Sequence, residues 1–392
     1  MMNAFLKLIV NNIKNNAVTI CNFDKYIVYF DKDRNRYIEA KDDSFHLLFN
    51  KNNGQTFKWG KEQKDDPAFC PFGNEIADIE ITKACRGIRN TNGERQVCKW
   101  CYKNNVSKGS YMNFETFKNI FDKLNVPKTM TQIAFGLDAE ASQELNPDIW
   151  NIFDYCNYND VTPNVTVADI NEQTAEKLVS KCGAIAVSYY GLIDKNRCYD
   201  SVNLLINKAK EINKKIAINI HCLLSQETYD SVFELLNDVY NDKRLKDLNA
   251  IVFLSLKQKG RGTNFNKLSD EQFKKIIDTC FEKQISFGMD SCSCPKFFNA
   301  IEDRRDKNRL KTYCESCESF GLFSMYVNVN GVYFPCSFME QTGEWAEGID
   351  LLKINDFVKD VWYSDKLIKD RNKSLEMAKY NSGCTHCPYY DI

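Results

Sequence analysis

Three cysteines, Cys85, Cys98 and Cys101, fall within one short stretch, and the last two frame Cys98-Lys99-Trp100-Cys101-Tyr102. Thiolates at such spacing hold soft metal ions or iron–sulfur clusters. Three of them can bind three irons of a [4Fe–4S] cube and leave the fourth iron open to another ligand. The same trio makes a zinc site only with a fourth protein ligand, for which His46 and Cys70 are the candidates. Twelve residues separate Cys85 from Cys98, and Asn90-Thr91-Asn92-Gly93 sits near their middle. That turn signal predicts a hairpin-like excursion whose ends return to neighbouring positions. A second group follows toward the C-terminus: Cys314-x2-Cys317, Cys336, and Cys384-Thr385-His386-Cys387. Four thiolates from it complete either a cube or a structural zinc site. Between the groups, Cys292 and Cys294 read as a further ligand pair, a redox pair or a hydrogen-atom donor, or else as buried thiols.

Positioning these residues requires a scaffold, and the hydrophobic pattern supplies one. Strands are predicted at Ile76–Thr82, Thr131–Phe135, Asn164–Val167, Ala184–Tyr189, Ile216–Leu223 and Ile251–Leu256, with a seventh at Ile285–Met289. Helical periodicity lies between them, at Phe114–Leu124 behind an Asn113 N-cap, Thr174–Lys181, Ser201–Lys210, Thr228–Asn241 and Ser269–Lys283. Strands alternating with helices imply parallel βαβ units. The expected fold class is therefore α/β: a partial (β/α)6 TIM-like barrel over residues 75–290, with a doubly wound sheet as the competitor. Either way chemistry belongs beyond the C-terminal ends of the strands. Residues 1–74 read as a β-rich N-terminal segment. Residues 291–392 read as a small Cys-rich α+β domain containing a hairpin at Asn330-Gly331.

With these motifs in view, the chain resembles the radical-SAM superfamily, whose signature is Cys-x3-Cys-x-aromatic-Cys after the first strand. Cys98-Lys99-Trp100-Cys101 matches its second half, and the long Cys85–Cys98 gap departs from it. The resemblance implies that Cys85, Cys98 and Cys101 hold a [4Fe–4S] cluster bound with S-adenosylmethionine (SAM), with Trp100 near the adenine. It also implies cofactor contacts from Gly136 and Glu140 after the second strand, from Ser188 on the fourth, and from Asn164 near the start of the third, with Asp169 near that strand's end. A Gly260-Arg261-Gly262 turn is similar to one in peptide-modifying members, and Arg261 there can clamp a carboxylate bidentately. His221, ending the fifth strand, is a candidate for moving a substrate proton or an ordinary structural residue.

The Cys317-x13-Gly331-x4-Cys336 spacing resembles the opening of a SPASM domain. Because only five residues follow Cys387, the similarity is to the shorter twitch form with one auxiliary [4Fe–4S] cluster, held by Cys317, Cys336, Cys384 and Cys387, with Cys314 as a substitute. The implied activity is reductive cleavage of SAM to a 5′-deoxyadenosyl radical that abstracts a substrate hydrogen. The first expectation is oxidation, cross-linking or epimerisation of a peptide or protein side chain. A small metabolite such as a sugar or nucleoside is the alternative, and a zinc-stapled binding protein is the non-catalytic one. A reductase such as flavodoxin or ferredoxin is the implied partner.

Composition sets the outer limits. The 392 residues carry 52 basic and 53 acidic side chains, so no net charge marks a nucleic-acid binder, and none is expected. No apolar run reaches about 18 residues, so no membrane span is expected. The run Ala4–Val10 lacks a signal-peptide cleavage site and reads as a buried segment. Seventeen cysteines without an export signal point to a cytoplasmic setting and to metal chemistry rather than disulfides. Cys156, Cys182, Cys198, Cys222 and Cys280 stand in apolar contexts and are expected in the core.

Overall fold

The computed structural model describes residues 4–62, 64–89, 92, 94–135, 144–191, 193–312, 314–380 and 387. An amphipathic helix α1 (Ala4–Asn15) opens the chain, burying Leu6, Val10 and Ile13 while Phe5 and Leu8 face outward. Five strands follow as an antiparallel meander: β1 (Ala17–Asn22), β2 (Tyr26–Asp31), β3 (Arg36–Ala40), β4 (His46–Asn50) and β5 (Gln55–Trp59). The alternation along β2 and β3 gives the sheet two apolar faces. One packs Tyr37, Leu48 and Trp59 against α1, and the other packs Val28, Ile38, Leu47 and Phe49 against Phe72, Leu322 and Phe323.

The second sheet holds the rest of the described strands except β7 (Ile88–Arg89) and β8 (Arg95–Gln96), which pair only with each other. Its first strand is β6 (Ile76–Ile79). The others are β9 (Gln132–Phe135), β10 (Thr162–Val167), β11 (Ala184–Tyr189), β12 (Ala217–Leu224), β13 (Ala250–Ser255), β14 (Phe287–Met289), β15 (Ser324–Val327), β16 (Val332–Phe334) and β17 (Ile349–Asp350). Helices α2 (Phe114–Leu124), α3 (Ile149–Tyr158), α4 (Glu172–Lys181), α5 (Lys195–Glu211), α6 (Tyr229–Asn241) and α7 (Asp270–Glu282) connect successive strands from β6 to β14. The short α8 (Cys294–Ala300) and α9 (Lys307–Lys311) follow, and α10 (Asp365–Tyr380) comes last.

Each parallel strand from β6 to β14 lies beside the next in sequence. A doubly wound sheet reverses its strand order at a switch point; this one does not between β6 and β14. The sheet stays open, with β14 at one edge and β17 at the other. The C-terminal hairpin is also not set apart as a small separate layer. Strand β15 pairs parallel with β6, Ser324 opposite Ile76 and Val327 opposite Ile79, and continues the same sheet.

Local signals hold where they were strongest. Asn113 caps α2 by accepting from the Thr116 N–H, a contact worth about 1 kcal/mol. Phe117, Ile120, Phe121 and Leu124 on that helix are fully buried, each contributing about 1.5–3 kcal/mol. Cys156, Cys182, Cys198, Cys222 and Cys280 are likewise core residues.

The N-terminal sheet is fixed by a buried charge. The Arg36 guanidinium donates to the carbonyls of Lys128, Met130 and Asp160. Those carbonyls precede β9 and β10, so this sheet docks at the N-terminal ends of the parallel strands. It therefore lies away from the ends where a βα scaffold places its chemistry. His46 bonds Tyr37 and Asp43, and Cys70 is buried in the second apolar layer of this sheet.

Candidate active site

Beyond β6 the chain enters the first cysteine loop. The Cys85 N–H donates to Val106 O, tying the outgoing chain to the returning one. The twelve-residue insert between Cys85 and Cys98 leaves as a two-stranded ribbon in which β7 pairs antiparallel with β8, Ile88 opposite Gln96. Its neck depends on Gly87, which has φ +72°, and a Cβ there would lie 1.8 Å from Gln96 O. Only glycine fits both the backbone conformation and the approach. Arg95 pins the ribbon to the scaffold by pairing with Asp169 at 3.0 Å, just past β10.

The return places Cys98 and Cys101 in a turn held from outside by the 260–262 segment. Arg261 Nε donates to Cys98 O at 2.8 Å, its Nη2 to Asn105 O at 2.9 Å, and its backbone N–H to Cys101 O at 3.0 Å. Gly260 has φ +57°, and a Cβ there would sit 2.4 Å from Tyr102 O. The Gly-Arg-Gly turn is thus a clamp on the cysteine loop's carbonyls, in place of the carboxylate clamp expected from sequence.

A cavity of about 660 Å3 opens beyond the C-terminal strand ends, within the range of cofactor and small-molecule sites. It gathers Cys85, Cys98 and Cys101 from the first group and Cys317, Cys336 and Cys387 from the second. Burial pushes the Cys98 thiol up to about 12, and the neighbouring Cys85 and Cys101 sulfurs push it further in the same direction. Burial likewise raises Cys336 to about 12, assisted by Cys317 and Cys387. Among the described residues, no three His, Cys, Asp or Glu side chains close on one point as a single metal ion requires; the thiols surround a space instead.

Other predicted residues divide. Trp100 packs against Tyr190 with ring centroids 4.7 Å apart and meets Phe265 edge-on. Ser188 and His221 line the cavity. Burial drives the His221 imidazole down to about 4, so it is neutral at pH 7 and poorly suited to carry a proton there. Asn164 sits mid-strand and does not line the cavity; it is bonded to Gln132 and to the Ala184 N–H. Cys292 lines the cavity while Cys294, two residues on, is buried outside it. Cys314, His46 and Cys70 do not line it. Gly136, Glu140 and Cys384 lie outside the described residues.

Two groups were missed in the sequence. Arg197, in the first turn of α5, donates to Ser188 O at 2.7 Å, while its Nε and Nη1 are buried with no hydrogen-bond partner among the described residues. The α5 helix begins six residues before the periodic stretch Ser201–Lys210, and Asp194, which caps it, was the available signal. Lys257 and Asp290, past β13 and β14, form an ion pair inside the cavity, and Asp290 accepts from Ser293. The two cysteine groups are joined directly: Tyr102 packs on Phe338 at 4.5 Å, and Lys103 reaches Glu340 and the Tyr326 hydroxyl.

No protein-family model matches the chain, and no curated protein matches it. Solved structures that align with it include BtrN in complex with AdoMet and 2-DOIA, at 13% identity over 80% of this chain and 92% of that one, TM-score 0.38. Methylornithine synthase (PylB) aligns at 12% identity over 81% and 84%, TM-score 0.41. An HpcH/HpaI aldolase from Desulfitobacterium hafniense DCB-2 aligns at 7% identity over 65% and 86%, TM-score 0.35. An AdoMet complex and an aldolase align about equally well, so these likenesses select no chemistry, and function must be argued from the site.

Proposed function

We propose that this chain is a radical SAM enzyme with a second, auxiliary iron–sulfur site. The observation that carries the reading is the convergence of two separate cysteine groups on one cavity at the C-terminal strand ends. The residues fit the groups they would hold. Cys85, Cys98 and Cys101 supply three thiolates, which suits a cube with one open iron. Arg197 Nε and Nη1 and Trp100 Nε1 are buried donors without partners among the described residues, and buried donors of this kind are normally satisfied by a ligand or water. When bound, the cube and SAM supply a 5′-deoxyadenosyl radical.

Around that chemistry each residue has a job. Arg197 receives the carboxylate of SAM, Trp100 flanks the adenine, and Ser188 offers a hydroxyl to the polar part of the ligand. Tyr190 and Phe265 hold the Trp100 ring in place. Lys257 and Asp290 present opposite charges to whatever shares the cavity, and an electron donor such as flavodoxin or ferredoxin is the partner. We infer a small polar metabolite as substrate in preference to a peptide or protein side chain. A cavity of about 660 Å3 must accommodate SAM as well, and the N-terminal sheet docks at the opposite strand ends, away from the cavity.

The test is anaerobic reconstitution with iron and sulfide, followed by SAM and dithionite. Formation of 5′-deoxyadenosine is expected, and Cys98→Ala abolishes it. A colourless protein that binds only zinc, or cleavage that survives Cys98→Ala, removes the reading.

A further inference from the structure

Cys292 stands apart from the cysteines that spacing groups together. It sits on the single turn Ser291–Ser293 just past β14, the last parallel strand of the βα series. Its neighbour Cys294 turns into the core, so the two do not act as a pair. Cys292 instead faces the cavity region that holds the second cysteine group. Cys336, Cys317 and Cys387 are all near enough to act on its thiol electrostatically, and so is the Lys257 ammonium. Lys257 in turn faces Cys292, Cys336 and Cys387. The described thiols around this end of the cavity are therefore four: Cys292, Cys317, Cys336 and Cys387. Cys314, the substitute that spacing offers, does not line the cavity.

Four thiolates close a [4Fe–4S] site, and such a site buries net negative charge. Burying charge is costly unless an opposite charge is at hand, and Lys257, its side chain only 9% exposed, is at hand. We propose that Cys292, from the end of the parallel sheet, joins Cys317, Cys336 and Cys387 as the fourth ligand of the auxiliary cluster. This rests on the proposed iron–sulfur function but adds to it. The auxiliary group becomes a staple between the last βα strand and the C-terminal hairpin, fixing the floor of the substrate cavity beside Lys257 and Asp290. Ligation is an exchange at iron without redox change: the Cys292 S–H loses its proton to solvent as the Fe–S bond forms.

Iron content and electron paramagnetic resonance of the anaerobically reconstituted full chain test this without reference to turnover. The wild type is expected to hold about eight irons per chain, as two cubes. Cys292→Ser is expected to hold about four, losing the auxiliary signal while the SAM-responsive signal persists, which also reports that the protein is folded. Cys292→His keeps about eight with an altered auxiliary spectrum, because an imidazole replaces a thiolate on one iron. Cys384→Ala keeps about eight with an unaltered spectrum. An unchanged auxiliary signal in both Cys292 variants overturns the assignment, and so does loss of that signal in Cys384→Ala. A wild type without any iron is a different failure, since it removes the radical SAM reading itself.

Discussion

Cys85, Cys98 and Cys101 lie on one loop that folds back on itself, whereas Cys317, Cys336 and Cys387 come from a loop, the end of a hairpin strand and the C-terminal segment. The first group is held by backbone: the Val106 tie, the Gly87 neck and the Arg261 clamp all act on main-chain atoms of the loop. The second is held by tertiary packing, since β15 must pair with β6 before its thiols can meet. A site built from one loop tolerates changes elsewhere but not in its own backbone geometry. A site built from distant segments depends on the whole C-terminal region arriving in register. Under the proposed assignments the two also differ in completeness, three thiols against four once Cys292 is counted, and this would be the difference between a cluster that keeps an open iron and one that is closed.

Separate loss of the two sites is the strongest way to break this comparison. Cys336→Ala is expected to remove about half of the iron and abolish product formation, while 5′-deoxyadenosine formation stays within about threefold of wild type, a difference of under about 1 kcal/mol. Iron analysis and nucleoside chromatography on the same sample measure both. If SAM cleavage disappears along with the auxiliary iron, the two groups form one cooperative unit and the distinction drawn above is wrong.

Backbone control of the first site makes a smaller, graded prediction. Gly87→Ala forces a Cβ to within 1.8 Å of Gln96 O, so the ribbon neck must open and carry Cys98 away from Cys85. The strain of alanine at positive φ adds to the effect. Disturbing the support of a metal ligand typically costs about 10–100-fold in affinity or activity. Deoxyadenosine formation should fall by about tenfold or more, with auxiliary iron retained. Wild-type cleavage in this variant would mean that the neck does not set the spacing of the thiols.

Much of this arrangement was legible in the sequence wherever the signal is local. Cys98-x2-Cys101, the Asn113 cap and the Asn92-Gly93 turn signal each constrain a few neighbouring residues, and local geometry decides them. Strand order followed from βα alternation, but closure did not: whether the sheet closes depends on which strand meets β6, and β15 does. Asn164 was expected at the site, but it falls short of the cavity, while Thr166 two positions on lines it. Arg261 was recognisable as a Gly-flanked arginine, but its partners are carbonyls more than a hundred residues earlier in sequence. Cys292 was visible as a thiol but not as a neighbour of Cys336, because no spacing rule connects the end of one strand to the far side of a hairpin.

The least disruptive probe of the space between the two groups is His221, which lies on β12 and bonds Thr166 Oγ1 at 3.3 Å. Burial drives its imidazole from an ordinary value near 6.5 down to about 4. Between those values the unfolded chain binds a proton that the folded chain refuses, so stability falls as pH drops through this window. Above about pH 6.5 both forms are neutral and the effect vanishes. We expect a loss on the order of 1–3 kcal/mol between pH 6.5 and 4.5. His221→Asn should escape that loss while keeping both sets of iron, because the imidazole belongs to neither thiol group. Denaturant melts of wild type and variant at the two pH values measure the difference. Parallel pH profiles would show that the imidazole is solvated, and iron loss in the variant would make it a ligand of one group.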